Sequence, residues 1–185
     1  MLAPKIDGKL TRSIIEPRKA LEKAGEDGIL LSMVASWHRA LNEGKEYVDM
    51  ADFSFLIVKN GKPLQIDVSY EEGDFTIKKQ DLSKEMGDMK EEEEFFRNIK
   101  VISDAEAVKI VENDEKVKET MKKAKHLRVF SMEFVAYDED LNTSVWKLVL
   151  KNWPLTNYFK REKPVTINVF VDAISGKILG MEKII

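Results

Sequence analysis

Apolar positions along the chain follow two rhythms, one of helical and one of strand period. In residues 14–24 the apolar set Ile14, Ile15, Ala20, Leu21 and Ala24 predicts a helix beginning near Glu16. Pro17 suits its first turn, where the missing N–H costs nothing, and Gly25 ends it. In residues 28–41, Ile29, Leu30, Met33, Val34, Trp37, Ala40 and Leu41 recur at helical spacing. With Asp27 as N-cap and Gly44 as stop, they predict a second, well-buried helix. Period-two runs follow at residues 47–58 and 62–70, the latter placing Leu64, Ile66, Val68 and Tyr70 on one face. Asn60-Gly61 between them is a strong hairpin signal, because both residues tolerate positive φ. Glu72-Gly73-Asp74 makes another turn, and residues 75–79 a short strand.

Residues 81–94, DLSKEMGDMKEEEE, lack strand character and read as a partly helical acidic linker ahead of Phe95 and Phe96. The pattern then restarts. Ser103 and Glu106 have capping-box spacing for a helix carrying Ala107, Val108 and Val111 inward. A charged helix over residues 115–125 carries the stripe Val117, Thr120, Met121 and Ala124. Residues 127–137 alternate as a strand, with Val129, Ser131, Glu133 and Val135 on one face and Phe130, Met132 and Phe134 on the other. Strands over residues 144–152, 165–172 and 177–183 complete the chain.

The halves also match locally. Residues 62–68 (KPLQIDV) parallel residues 163–169 (KPVTINV) at an offset of 101, and residues 55–60 parallel residues 147–152 at an offset of 92. The nine extra residues fall where the first copy has its tight Asn-Gly turn, so the second hairpin carries an extended tip. The expected fold class is therefore α+β, as two tandem units of short helices packed on an antiparallel sheet. The units are residues 1–80 and 101–185, joined by the acidic linker of residues 81–100.

Composition narrows the chemistry. The 185 residues are 43% hydrophobic and 34% charged, too apolar for a disordered chain. Cysteine is absent, which removes disulfides, thiolate nucleophiles and cysteine-rich metal sites. His38 and His126 are the two histidines, too few for a histidine-rich metal centre. A net charge of −3 argues against a nucleic-acid binder, which needs a clustered basic surface. It does conceal an uneven distribution, with glutamates at residues 91–94 and lysines at residues 116–125. Lysine is frequent and glutamine scarce, a balance associated with thermophilic proteins. The longest mainly apolar stretch, residues 28–37, is shorter than the roughly 20 residues a spanning helix needs. The start MLAPKIDGKLTRS lacks the apolar core of a signal peptide. A soluble chain is expected, cytoplasmic or secreted with a leader removed.

The second half resembles a PepSY domain. The resemblance rests on the helix start Ser103-Asp104-Ala105-Glu106-Ala107, on the strand Trp146-Lys147-Leu148-Val149-Leu150, and on residues 169–179, VFVDAISGKIL. In that last string Asp172 can bond the turn backbone, and Gly176 can take the left-handed conformation a bulged hairpin requires. The first half, VSYEEGD at residues 68–74, lacks the Asp-Ala pair and has a shorter turn, so it resembles the family only as a diverged copy. Helix-then-curved-sheet units are also similar to cystatin-like folds. The resemblance implies a non-enzymatic protein that binds or restrains a peptidase or another polypeptide, with no cofactor and no catalytic set.

Individual residues add little chemistry. His38 and His126 read as cations at helix C-termini, favoured by the dipole. Glu91 to Glu94 read as a solvated helix face, and Asp138, Glu139 and Asp140 as a solvated turn whose spacing does not match a calcium loop. Trp153, Tyr158 and Phe159 in the extended hairpin tip are the candidate partner contacts, for a protein partner or a second copy of the chain, since aromatic residues dominate interface hot spots. A small-ligand binder or an enzyme using the concave sheet face is the alternative, with Ser131, Glu133 and Lys147 as its available polar groups.

Overall fold

The computed structural model describes Leu2, residues 5–152 and residues 163–184. The strands are β1 (Ile29–Asn42), β2 (Lys45–Lys59), β3 (Lys62–Glu71), β4 (Asp74–Asp81), β5 (Leu127–Asp138), β6 (Thr143–Asn152), β7 (Thr166–Asp172) and β8 (Ile178–Ile184). They form one antiparallel sheet in the order β4-β3-β2-β1-β5-β6-β7-β8. Each half thus contributes a four-stranded meander, and the first strands of the two meanders pair at the centre. The helices are α1 (Pro17–Ala24), α2 (Ser83–Met86), α3 (Lys90–Asn98), α4 (Asp104–Asn113) and α5 (Glu115–Lys123). Buried residues of α1, α4 and α5 share one core with one face of the sheet, so the class is α+β.

Local signals set most boundaries. Glu16 precedes α1, Pro17 opens it, and Gly25 closes it at φ 67°. Asn60 and Gly61 turn β2 into β3 with φ of 54° and 74°. Ser103 and Glu106 form a reciprocal capping box on α4. Asp114 then caps α5 through the N–H groups of Lys116 and Val117.

Residues 28–41 depart from expectation: they form β1, not a helix. Leu31, Met33, Ala35, Trp37 and Arg39 point into the core. The opposite parity, including Ser32, Val34, Ser36 and His38, faces away from the helices. Val34 and Ala40 add apolar residues on the outward face, so the whole apolar set fits a helical period as well as a strand one. Two placements change with it. Asp27 caps no helix and instead pairs with Lys59 at 2.5 Å. His38 is an exposed strand residue whose Nδ1 lies 2.7 Å from the Asp49 carboxylate, not a helix-end cation.

β5 differs from its predicted alternation too. A bulge between Val129 and Ser131 turns Val129 inward with Met132 and Phe134, and leaves Phe130 exposed beneath the Lys151 ammonium at 3.9 Å. Residues 81–100 hold α2 and α3. Of the four glutamates at residues 91–94, Glu93 is not solvated: it is buried, and it accepts from the Gly61 N–H at 2.7 Å and from Arg97 at 2.6 Å.

Two tryptophans fasten the helical layer to the sheet. The Trp37 indole donates to the Ile15 carbonyl at 2.8 Å, just ahead of α1. The Trp146 indole donates to the Ile102 carbonyl at 3.1 Å, just ahead of α4. Both rings are almost wholly buried, so each half has an apolar anchor whose polar tip fixes the entry to a helix.

Candidate functional site

The chain ahead of α1 folds back along the lower ends of β1, β2 and β5. The Leu10 carbonyl accepts from Val129 N–H at 2.8 Å, and the Ser13 hydroxyl donates to the Glu46 carbonyl at 3.0 Å. Glu112, at the end of α4, accepts from Lys9 N–H at 2.8 Å and fills the space beside Gly8 where a Cβ would sit. These bonds hold residues 8–13 apart from α5, and between the two lies a cleft of about 710 Å³. Lys9 and Arg12 line one wall, Lys118, Met121, Lys122 and Lys125 the other, with Glu112, Asn113 and Arg128 completing it. Six of these side chains are basic and one is acidic, in a chain of net charge −3.

Beneath the cleft is a buried ionic cluster. Arg128 Nε and Nη2 each donate to Glu46 at 3.2 Å, and Arg128 Nη1 donates to the Leu127 carbonyl at 2.8 Å. Arg39 Nε lies 3.3 Å from the same carboxylate, and its Nη1 donates to the Val129 carbonyl at 2.6 Å. Burial, opposed by Glu46 and aided by Arg128, lowers the Arg39 guanidinium to about 10. Arg39 therefore stays charged at neutral pH, and one carboxylate serves two guanidinium groups. The cluster adds its surplus positive charge to that of the cleft lysines above it.

A second cavity, about 300 Å³, lies among α1, α3 and the start of β1. Leu21, Ile29, Leu30, Ile57, Phe96 and Val101 supply its apolar lining. Arg18 and Arg97, which also reach it, are engaged by Glu16, Glu22 and Glu93. Glu26, a further lining residue, pairs with Lys79 at 2.9 Å.

Of the residues singled out in the sequence, Asp172 and Gly176 take their expected places. Asp172 Oδ1 accepts from Ile174 N–H at 2.8 Å and Ser175 N–H at 3.1 Å, and Gly176 adopts φ 72°. Trp153, Tyr158 and Phe159 lie outside the described residues. Ser131, Glu133 and Lys147 sit on the sheet face turned away from the helices, not beneath them. Lys147 there lies 3.8 Å from Glu133 and over the Phe170 ring. Among the described residues no three histidines or carboxylates gather into a metal-binding group, and no helix is long and apolar enough to cross a membrane. Sequence reasoning missed Lys9, Arg12, Arg39, Glu46 and Arg128. The one signal was the lysine-rich helix at residues 116–125, which gives no indication of the wall opposite it.

No family model and no curated protein matches the chain. A crystal structure described as a "putative lipoprotein" from Clostridium difficile 630 is similar at a TM-score of 0.45 and 13% identity, covering 97% of each chain. A likeness at that level carries no argument about function.

Proposed function

We propose that the chain is a binding protein that holds an anionic partner in the cleft between residues 8–13 and α5, acting by occlusion with no chemistry of its own. The observation that carries this reading is the concentration of Lys9, Arg12, Lys118, Lys122, Lys125 and Arg128 around one concavity of about 710 Å³. Basic groups crowded around a concave site raise the local concentration of anions even when the whole protein is negative. Titration of the isotopically labelled chain with poly-L-glutamate, followed by amide NMR, tests it. Shifts confined to residues 8–13 and 112–128 are expected. No shifts, or shifts centred on the helix-free sheet face, overturn the reading.

The partner in this proposal is a polypeptide, peptidases included, in keeping with the PepSY resemblance. Two further points belong to it. The halves are diverged copies of one unit, supported by the local sequence matches falling on β2 with β6 and β3 with β7, which hold equivalent places in the two meanders. Trp153, Tyr158 and Phe159 add contacts to the partner. Trp37 and Trp146 are 2% and 0% exposed, so fluorescence accessible to a quencher reports on Trp153. Partner binding that leaves that accessible fraction unchanged removes the loop from the interface.

A further inference from the structure

We infer that the cleft is built for an extended acidic polypeptide segment, its carboxylates in alternate positions, rather than for a compact anion; the inference rests on the anionic reading above. The basic groups are spread out, not convergent. Lys118 and Lys122 are four residues apart on α5, about 6 Å along the helix axis, and Lys125 continues the row just past its end. A chain in extended conformation advances roughly 6.6 Å every two residues, so its alternate side chains match that interval. Lys9 and Arg12 lie across from that row and add to the positive field the segment meets.

A compact anion such as phosphate asks for several donors aimed at one point, and the structure spends its best candidate elsewhere. The buried Arg128 guanidinium is committed to both Glu46 oxygens and to the Leu127 carbonyl. A single-stranded nucleic acid would need flat rings for its bases to stack on. Among the described residues the cleft lining has no aromatic residue, and Met121 is its one apolar side chain. The exposed amines are available to a ligand: among the described residues Lys118 pairs only with the highly exposed Glu115, at 3.0 Å. A pair so open to solvent is weak and readily exchanged.

The test is fluorescence anisotropy with the 185-residue chain and two labelled peptides of about twelve residues, made only of Glu and Ser in equal number. One alternates Glu with Ser, and the other gathers all its Glu at one end. The alternating peptide is expected to bind at least about tenfold more tightly, with affinity falling as salt rises. The variant Lys118→Glu/Lys122→Glu should abolish that binding. Lys116→Glu/Lys123→Glu makes the same change of charge on the same helix, at positions outside the cleft, and should retain most of it. Thermal melts of both variants establish that they fold. Equal affinity for the two peptides, or equal loss in the two variants, overturns the inference in favour of a diffuse field. Displacement of the peptide by inorganic phosphate at constant ionic strength overturns it in favour of a compact anion. Tighter binding of oligo-dT than of peptide overturns it in favour of nucleic acid. Those two results leave the cleft an anion site, whereas binding of none of these anions removes both proposals.

Discussion

Arg128 and Glu46 are 82 positions apart and meet in a two-pronged ion pair, Nε and Nη2 each 3.2 Å from a carboxylate oxygen. Their side chains are both 7% exposed, and Arg39, 3% exposed, leans on the same carboxylate. The pair joins β2 to the start of β5 at the end of the sheet where the cleft opens. It couples the two halves of the chain beyond Ser36 and Ser131, where the pairing of β1 with β5 has ended.

Glu46→Ala should accordingly cost about 3–5 kcal/mol, because it strands two guanidinium groups in a buried site. Urea unfolding followed by circular dichroism measures this. Replacing Arg39, Glu46 and Arg128 together by apolar residues of similar size should recover most of the loss, since no unpaired charge is then buried. A loss under about 1 kcal/mol in the single variant would mean that water reaches the cluster freely.

Gly28 brings its backbone close against Val58 just ahead of β1. A Cβ there would meet the Val58 carbonyl oxygen at 2.7 Å and the Ile57 Cδ1 at 3.3 Å. The first contact is with backbone, which cannot swing aside. Gly28→Ala should therefore destabilise the chain by about 1–3 kcal/mol, read from the same unfolding curves. The amides of Ile29 and Val58, paired across that end of the ladder, should lose hydrogen-exchange protection first.

Signals that act over a few residues were legible in the sequence. Pro17 and Gly25 around α1, the Asn60-Gly61 turn, the Ser103–Glu106 capping box and the Asp172–Gly176 turn each satisfy their own backbone groups locally. β1 was not legible, because Val34 and Ala40 on its outward face interrupt the alternation of apolar and polar positions that marks a strand buried on one side. The parity shared by Ser32, Ser36 and His38 was the surviving trace of its period. The cleft was hidden for a different reason. Its walls bond across 103 positions, from Lys9 to Glu112, and a net charge of −3 averages its basic lining away.

Glu93 illustrates the same limit within a run of identical residues, and it makes a sharp test. Its neighbours Glu92 and Glu94 are exposed, while Glu93 holds the Gly61 N–H and the Arg97 guanidinium. Glu93→Ala should release α3 from the β2–β3 turn, costing about 1–3 kcal/mol for the orphaned N–H and raising amide exchange over residues 89–98. Glu92→Ala should stay within about 0.5 kcal/mol of the parent. Equal effects of the two substitutions would show that α3 is held by something other than this carboxylate.

The Asp172 turn predicts how stability depends on pH. Partial burial pushes the Asp172 carboxyl up, but the N–H groups of Ser175 and Ile174 and the hydroxyls of Ser175 and Thr143 outweigh it and hold it below the ordinary aspartate value. A carboxyl that is more acidic folded than unfolded stabilises the fold fully above the unfolded value. That contribution is lost as pH falls through the folded one. Unfolding free energy should therefore fall on acidification below about pH 4, the ordinary aspartate range, in part through this residue. Asp172→Ala should cost about 1–2 kcal/mol at neutral pH, through the unpaired turn amides. Its stability should decline less steeply with acid than the parent's, so that the two curves converge once the parent's carboxyl is protonated. Parallel curves down to the acid limit would mean that Asp172 titrates alike in the folded and unfolded chains, and that the turn is held by Gly176 and the backbone alone.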